Sequence, residues 1–188
     1  KSALLISGIL VIMTLISSWI ALRTVKAQRK PLYPLALISI AIGSGSVLAL
    51  ITQAVLRLDI WYTPHVIIPI AGMVFAASMN SVSIAAERMT TELAHGENYK
   101  DARSIALKAA LIPITNALFA VGIVSLPGMM TGQILSGTSP LIAAHYQIMV
   151  MCMMYAAAGL SASLFLLLLK ERLTLLTKKV QKVEEINY

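Results

Sequence analysis

The sequence holds 188 residues, of which 58% are hydrophobic and only 12% charged, with a mean hydropathy of +0.82 and a formal net charge of +7. Soluble domains carry about 25% charged residues, so the composition excludes an ordinary soluble domain. The single cysteine, Cys152, excludes an internal disulfide framework.

Five apolar blocks account for the charge deficit, at about 3–22, 32–56, 66–86, 109–130 and 141–169. Each meets the ~20 residues that a helix needs to cross a hydrocarbon core of about 30 Å. In lipid the backbone must satisfy its own hydrogen bonds, which blocks of this length do as helices. The expected fold is therefore all-α: a polytopic transmembrane helical bundle over 1–169, with five spans, a loop at 87–108 and a tail at 170–188. The first block, ALLISGILVIMTLISSWIAL, is too long for the core of a signal peptide and lacks a convincing cleavage site. The chain starts at Lys1 rather than methionine, which reads as a start inside a longer protein.

The connections set the expected orientation. Arg23, Lys26, Arg29 and Lys30 follow the first block, and Pro31 closes this basic turn. The next loop, RLDIWYTPH, has Arg57 as its one basic residue, and its Trp61 and Tyr62 suit an interfacial aromatic belt. Arg88, Lys100, Arg103 and Lys108 follow the third block, 131–140 has no basic residue, and the tail holds Lys170, Arg172, Lys178, Lys179 and Lys182. All of the 15 basic residues except Lys1 and Arg57 thus fall on one side, which the positive-inside rule assigns to the cytoplasm. The expected setting is an inner or cytoplasmic membrane with the C-terminus in the cytoplasm. Nucleic-acid binding would need those charges on one soluble face, so that partner is excluded.

The loop ERMTTELAHGENYKDARSIALK reads as a short helix, a break near His95-Gly96, and a second helix from about Lys100 into the membrane. Glu87, Arg88, Glu92, Glu97, Asp101 and Arg103 make it mixed in sign, as in a solvated hairpin or a docking surface. In the tail, Leu173, Leu176, Val180 and Val183 form an apolar stripe at helical spacing, suited to anionic lipid or a partner helix.

GQILSGTS, at 132–139, nearly spells a phosphate-binding loop, but Thr138 stands where the lysine that reaches the phosphates is required. Nucleotide binding by this chain is excluded on that ground. The eight carboxylates, Asp59, Glu87, Glu92, Glu97, Asp101, Glu171, Glu184 and Glu185, all lie in loops or at span ends. Ion-coupled carriers keep ionisable groups at membrane depth, so a transporter of this composition draws on a partner ATPase. Polar groups within the last three blocks include Ser78, Asn80, Ser81, Ser83, Thr115, Asn116, Ser125, Tyr146 and Gln147. They are read either as interhelical glue or as the lining of a path. His145, Met149 and Cys152 share a helical face at i, i+4 and i+7, a soft-metal donor set, although methionine also fills irregular gaps. GSGS at 43–46 and the Gly128-to-Gly132 G-x-x-x-G are predicted to permit close helix approach, and Pro69, Pro113 and Pro127 to kink or break their helices.

IPIAGM at 68–73, Met79-Asn80, AAER at 85–88, KAALIP at 108–113, VGIVSLPGMMTGQILSGTSP at 121–140 and YQIMVM at 146–151 run in one order through 66–169. Together they resemble the FetB-type permease family of iron-export ABC transporters and its plant aluminium-sensitive relatives. The resemblance implies a non-catalytic permease subunit, two further N-terminal helices in the complete protein, and a second permease copy. It also implies a separate cytoplasmic ATPase, so that ATP and Mg belong to the partner and no cofactor to this chain. The loop 87–108 becomes the coupling element, carried by Glu87, Arg88, Glu92, Gly96, Asp101 and Arg103. The expected path is Asn80, Asn116, Ser125, Pro127, Gly128, Met129, Met130, Gly132, Gln133, Tyr146 and Gln147, with 121–140 as the outer half of a helix and its exit loop. Competing readings are a stand-alone secondary transporter or channel and an intramembrane assembly or scaffold protein.

Overall fold

The computed structural model describes residues 2–25, 29–58, 60, 62–122 and 126–186, from 171 onward as backbone only. Six α-helices follow one another: α1 (Ser2–Ala21), α2 (Arg29–Leu50), α3 (Pro64–Ala94), α4 (Tyr99–Ala120), α5 (Gly128–Leu135) and α6 (Pro140–Ile186). A π-helical turn, Ile51–Val55, continues α2. Among the described residues five stretches are long and apolar enough to cross a membrane: Ala3–Ala21, Arg29–Val55, Pro64–Ala94, Tyr99–Ala120 and Pro140–Lys170. The polytopic helical bundle expected from hydropathy is the fold observed.

Its boundaries differ in the second half. The fourth span is Tyr99–Ala120 and not 109–130, because Val121 is extended and Gly122 takes φ +81°, which ends the helix. Residues 121–140 are therefore not the outer half of a helix. Their described residues hold the extended Val121, the separate short α5, and a turn into α6. The third block and the start of the loop form one helix, α3, that runs unbroken to Ala94.

Both sharp helix ends have a backbone cause. At the end of α3, Gly96 N–H donates to Leu93 and Glu97 N–H to Glu92, with Gly96 at φ +89°. At the end of α5, Gly137 N–H donates to Ile134 and Thr138 N–H to Gln133, with Gly137 at φ +93°. These are paired C-terminal caps that need a left-handed residue, the position glycine fills without a Cβ penalty. The near-match to a phosphate loop is thus explained by a helix stop. New helices start on their own signals: Asn98 accepts from the N–H of Asp101 to cap α4, and Ser139 Oγ accepts from Ile142 N–H ahead of Pro140 in α6.

α3 lies at the centre, packed against α1, α2, α4 and α6, while α6 also meets α2, α4 and α5. Small residues bring α2, α3 and α6 together. Ser44 Oγ donates to Ser78 Oγ at 2.8 Å, Ser161 Oγ donates to the same atom at 3.0 Å, and Ser78 Oγ donates to the Ala157 carbonyl at 3.1 Å. All three serines are fully buried, and a Cβ on Gly43 would lie 2.3 Å from Ser161 Oγ. The GSGS segment is the contact expected of it. A second tie, Ser81 Oγ to the Ala110 carbonyl at 3.3 Å, joins α3 to α4, and the Tyr99 hydroxyl donates to the Leu166 carbonyl to join α4 to α6. In lipid such hydroxyls bond across helices where apolar groups gain nothing from association.

The opposite arrangement holds at the periphery. Leu4 is 81% exposed and Phe119 70%, with Leu5, Val11, Ile12 and Ile112 also outward. An apolar surface of this kind would aggregate in water, and it matches a hydrocarbon surround. At the basic end Arg29 stacks over the Trp19 ring at 3.6 Å and donates to the Trp19 carbonyl, while Tyr33 meets the ring edge-on.

Candidate translocation site

The chain is least regular at the end away from its basic loops. There α2 widens into the π-turn, Leu58 N–H reaches back to the Thr52 carbonyl at 3.0 Å, and Arg57 takes φ +48°. π-turns inside α-helices occur frequently at functional sites. α3 then starts on Pro64, and its Pro69 supplies no N–H to the carbonyl of His65 one turn back. α5 packs on α6 and has Pro127 as its cap, whose carbonyl accepts both the N–H and the hydroxyl of Thr131.

These elements border a half-open cavity of about 390 Å³. Its polar and sulfur-bearing wall is His65 and Met73 from α3, Met129 and Gln133 from α5, and Tyr146 and Met149 from α6. Leu56, Val66 and Ile70 supply apolar wall. Gln133 Oε1 is buried without a hydrogen-bond partner, as is Gln147 Oε1 on the next helix. An unsatisfied buried acceptor costs roughly 1–3 kcal/mol, so each is a position where a donor or cation would be stabilised.

Three of the residues expected on a path therefore line one cavity, Met129, Gln133 and Tyr146, together with Met149 of the expected soft-donor trio. Others do not. Asn80 lines a different cavity of about 210 Å³ between α3, α4 and α6, beside Pro113. Asn116 is exposed on α4, Met130 is half-buried and Gln147 is buried. Ser125 lies outside the described residues, as do Trp61 and the side chains of the tail stripe. Pro127 serves as a helix cap rather than a mid-helix bend, and α5 begins at Gly128. A Cβ on Gly128 or Gly132 would meet nothing within 4 Å, so the G-x-x-x-G makes no close helix contact within this chain, contrary to the packing expected of it. In the soft-donor trio, Met149 borders the 390 Å³ cavity and also a groove of about 540 Å³ between α2 and α6, which Cys152 lines. His145 is exposed and borders neither. Among the described residues no three His, Cys, Asp or Glu gather around a metal position.

His65 and Met73 were not assigned to the site from sequence. His65, Pro69 and Met73 recur every four residues, which places them on one face of α3. That spacing was the available signal, obscured because His65 reads as loop until the start of the helix is fixed at Pro64.

At the basic end the 87–108 segment is a helical hairpin. Arg88 pairs with the mostly buried Glu92 at 3.1 Å, Glu87 and Asp101 are exposed, Arg103 is half-buried, and Gly96 forms the turn.

A charge-poor bundle with five membrane-length helices among the described residues defines a multi-pass membrane protein. The chain belongs to the uncharacterised protein family UPF0014, whose model matches residues 1–174. It is 32% identical over 168 residues to the UPF0014 membrane protein slr1647 of Synechocystis, covering 81% of this chain and 65% of that protein. It is 37% identical over 139 residues to the probable iron export permease protein FetB of Escherichia coli, covering 66% and 52% respectively. With the protein ALUMINUM SENSITIVE 3 of Arabidopsis thaliana it shares 36% identity over 116 residues, covering 54% and 42%. The chain thus spans between about two fifths and two thirds of the length of these relatives. No solved structure matches it.

Proposed function

We propose that this chain is the membrane-spanning permease part of an ABC-type transporter that exports a metal ion across the inner or cytoplasmic membrane. In this reading ATP is hydrolysed by a separate cytoplasmic subunit, which alternates the packing of two permease copies. The observation that carries the proposal is where charge is buried. Among the described residues the one buried carboxylate is Glu92, and it sits at the basic end, paired with Arg88. The cavity at the far end offers thioether, amide, phenol and imidazole groups instead. Carriers that couple to ions use acid or base relays at membrane depth; a path with no buried carboxylate among its described residues takes its motive force from elsewhere.

The hairpin 87–108 supports a docking role. Caps at both sides of its turn hold a rigid, charged tip at the end rich in basic residues, the side that the positive-inside rule assigns to the cytoplasm. The printed name of the Escherichia coli relative supports a metal ion as cargo, with iron as the first candidate. Reversing two exposed charges of the hairpin, Glu87→Lys with Glu97→Lys, in full-length protein co-expressed with its ATPase tests the reading. Co-purification of the ATPase and ATP-driven metal efflux should both fall by about tenfold or more, with the unfolding midpoint unchanged. Undiminished co-purification and efflux would contradict the docking role.

A further inference from the structure

We propose that the cavity walled by His65, Met73, Met129, Gln133, Tyr146 and Met149 binds a soft metal ion of low charge, of the Cu(I) and Ag(I) class. This rests on the transport reading for the ion's role as cargo and departs from it in one respect, replacing the iron suggested by the relative's name with a soft, singly charged ion; the binding chemistry itself does not depend on that reading.

Three methionines from three helices line this one space: Met73 of α3, Met129 of α5 and Met149 of α6. Thioether sulfur favours soft ions such as Cu(I), imidazole adds a compatible nitrogen, and hard ions favour carboxylate and water oxygens. No described residue of the wall is a carboxylate. The cost of burying an ion rises with the square of its charge, and a single charge already carries a large penalty in an apolar interior. The wall supplied by Leu56, Val66 and Ile70 therefore disfavours a trivalent ion far more than a monovalent one.

Methionine adapts to close irregular gaps, yet these three border a half-open cavity of about 390 Å³ rather than closing it. The buried, unpartnered Gln133 Oε1 adds a neutral oxygen donor to the same wall. The donor chemistry also continues beyond the cavity. Met149 borders the neighbouring groove as well, and there Cys152 and Met153 stand one helical turn further along α6. A thiophilic ion leaving the first set of sulfurs meets a second.

The test uses full-length protein in detergent, without its ATPase, with Ag(I) as a redox-inert probe and Fe(II) as the competitor. Because a thiol binds silver by itself, all measurements are made in a Cys152→Ser background. Silver should bind about 100-fold more tightly than Fe(II), and Met73→Leu, Met129→Leu and Met149→Leu together should weaken silver by about 100-fold, as expected when soft ligands set the selectivity. If the triple variant fails to fold, the single variants carry the test, each expected to lose at least about threefold. Asp59→Asn, a carboxylate next in sequence to the cavity residue Leu58, should leave silver affinity unchanged. Equal or tighter binding of Fe(II), silver affinity insensitive to the methionines, or silver binding abolished by Cys152→Ser would overturn the proposal, as would its loss in Asp59→Asn. Silver binding in a protein that transports nothing with its ATPase would remove the transport reading and leave the site. ATP-driven transport without silver binding would do the reverse.

Discussion

Gly43 and Gly132 sit in sequence patterns that look alike, and the structure gives them opposite roles. A methyl group on Gly43 would meet the Ser161 backbone N at 2.8 Å as well as its hydroxyl, whereas one on Gly132 would meet nothing within 4 Å. Overpacking a close helix contact costs about 1–3 kcal/mol, so Gly43→Ala should lower the unfolding midpoint in detergent clearly, and Gly132→Ala should leave it unchanged. Equal midpoints for the two variants would show that the α2–α6 contact is not as tight as described. Ser78 is the hub between them. Ser78→Ala removes three hydrogen bonds at once, and interhelical bonds in membranes contribute on average about 0.6 kcal/mol each. A loss of about 1–2 kcal/mol in reversible unfolding is expected by that sum, while Ser46→Ala, which loses only a bond within its own helix to the Gly43 carbonyl, should show far less. That a small residue stands at position 43 was legible in the sequence; which small residues touch a neighbour was not, because the same G-x-x-x-G spacing serves a packed face and an open one.

At the scale of elements, the long apolar helices were legible because hydropathy measures what lipid selects. The breaks were not all legible. Apolar side chains continue through Val121 and Leu126, so a hydropathy window runs on while the backbone has already turned at Gly122. The stop at Gly96 was visible as His-Gly after a helical run, and the same signal at Ser136-Gly137 was obscured by its likeness to a phosphate loop. Both glycines occupy left-handed positions, where a Cβ costs about 1 kcal/mol. Gly137→Ala is thus expected to reduce stability by about that amount, and Gly137→Asn by less, since asparagine tolerates the left-handed region better. Thermal unfolding of the two variants side by side checks this, and a Gly137→Ala protein as stable as the parent would contradict the cap. The cavity was only half legible. Met129, Gln133, Tyr146 and Met149 lie in the motif-bearing half of the chain, but His65 and Met73 arrive from a helix more distant in sequence, and no spacing rule connects the two groups.

At the scale of the whole molecule, the account has the basic end in the cytoplasm and the cavity end facing out. In a Cys152→Ser background, a cysteine at Glu97 should react with an impermeant maleimide only from the cytoplasmic face, and one at Ser136 only from the outer face. Labelling of both from the same side would overturn the topology. The apolar belt formed by Leu4, Val11, Ile112 and Phe119 then faces lipid or the second copy, and no carboxylate among the described residues is buried at membrane depth. The central proposal is that the bundle is a passive path driven by a separate ATPase. The most direct measurement is metal flux against a gradient in liposomes that hold the complete protein with its ATPase, or the protein alone. The account predicts uphill flux only when the ATPase and ATP are both present, and sustained uphill flux by the protein alone would contradict it.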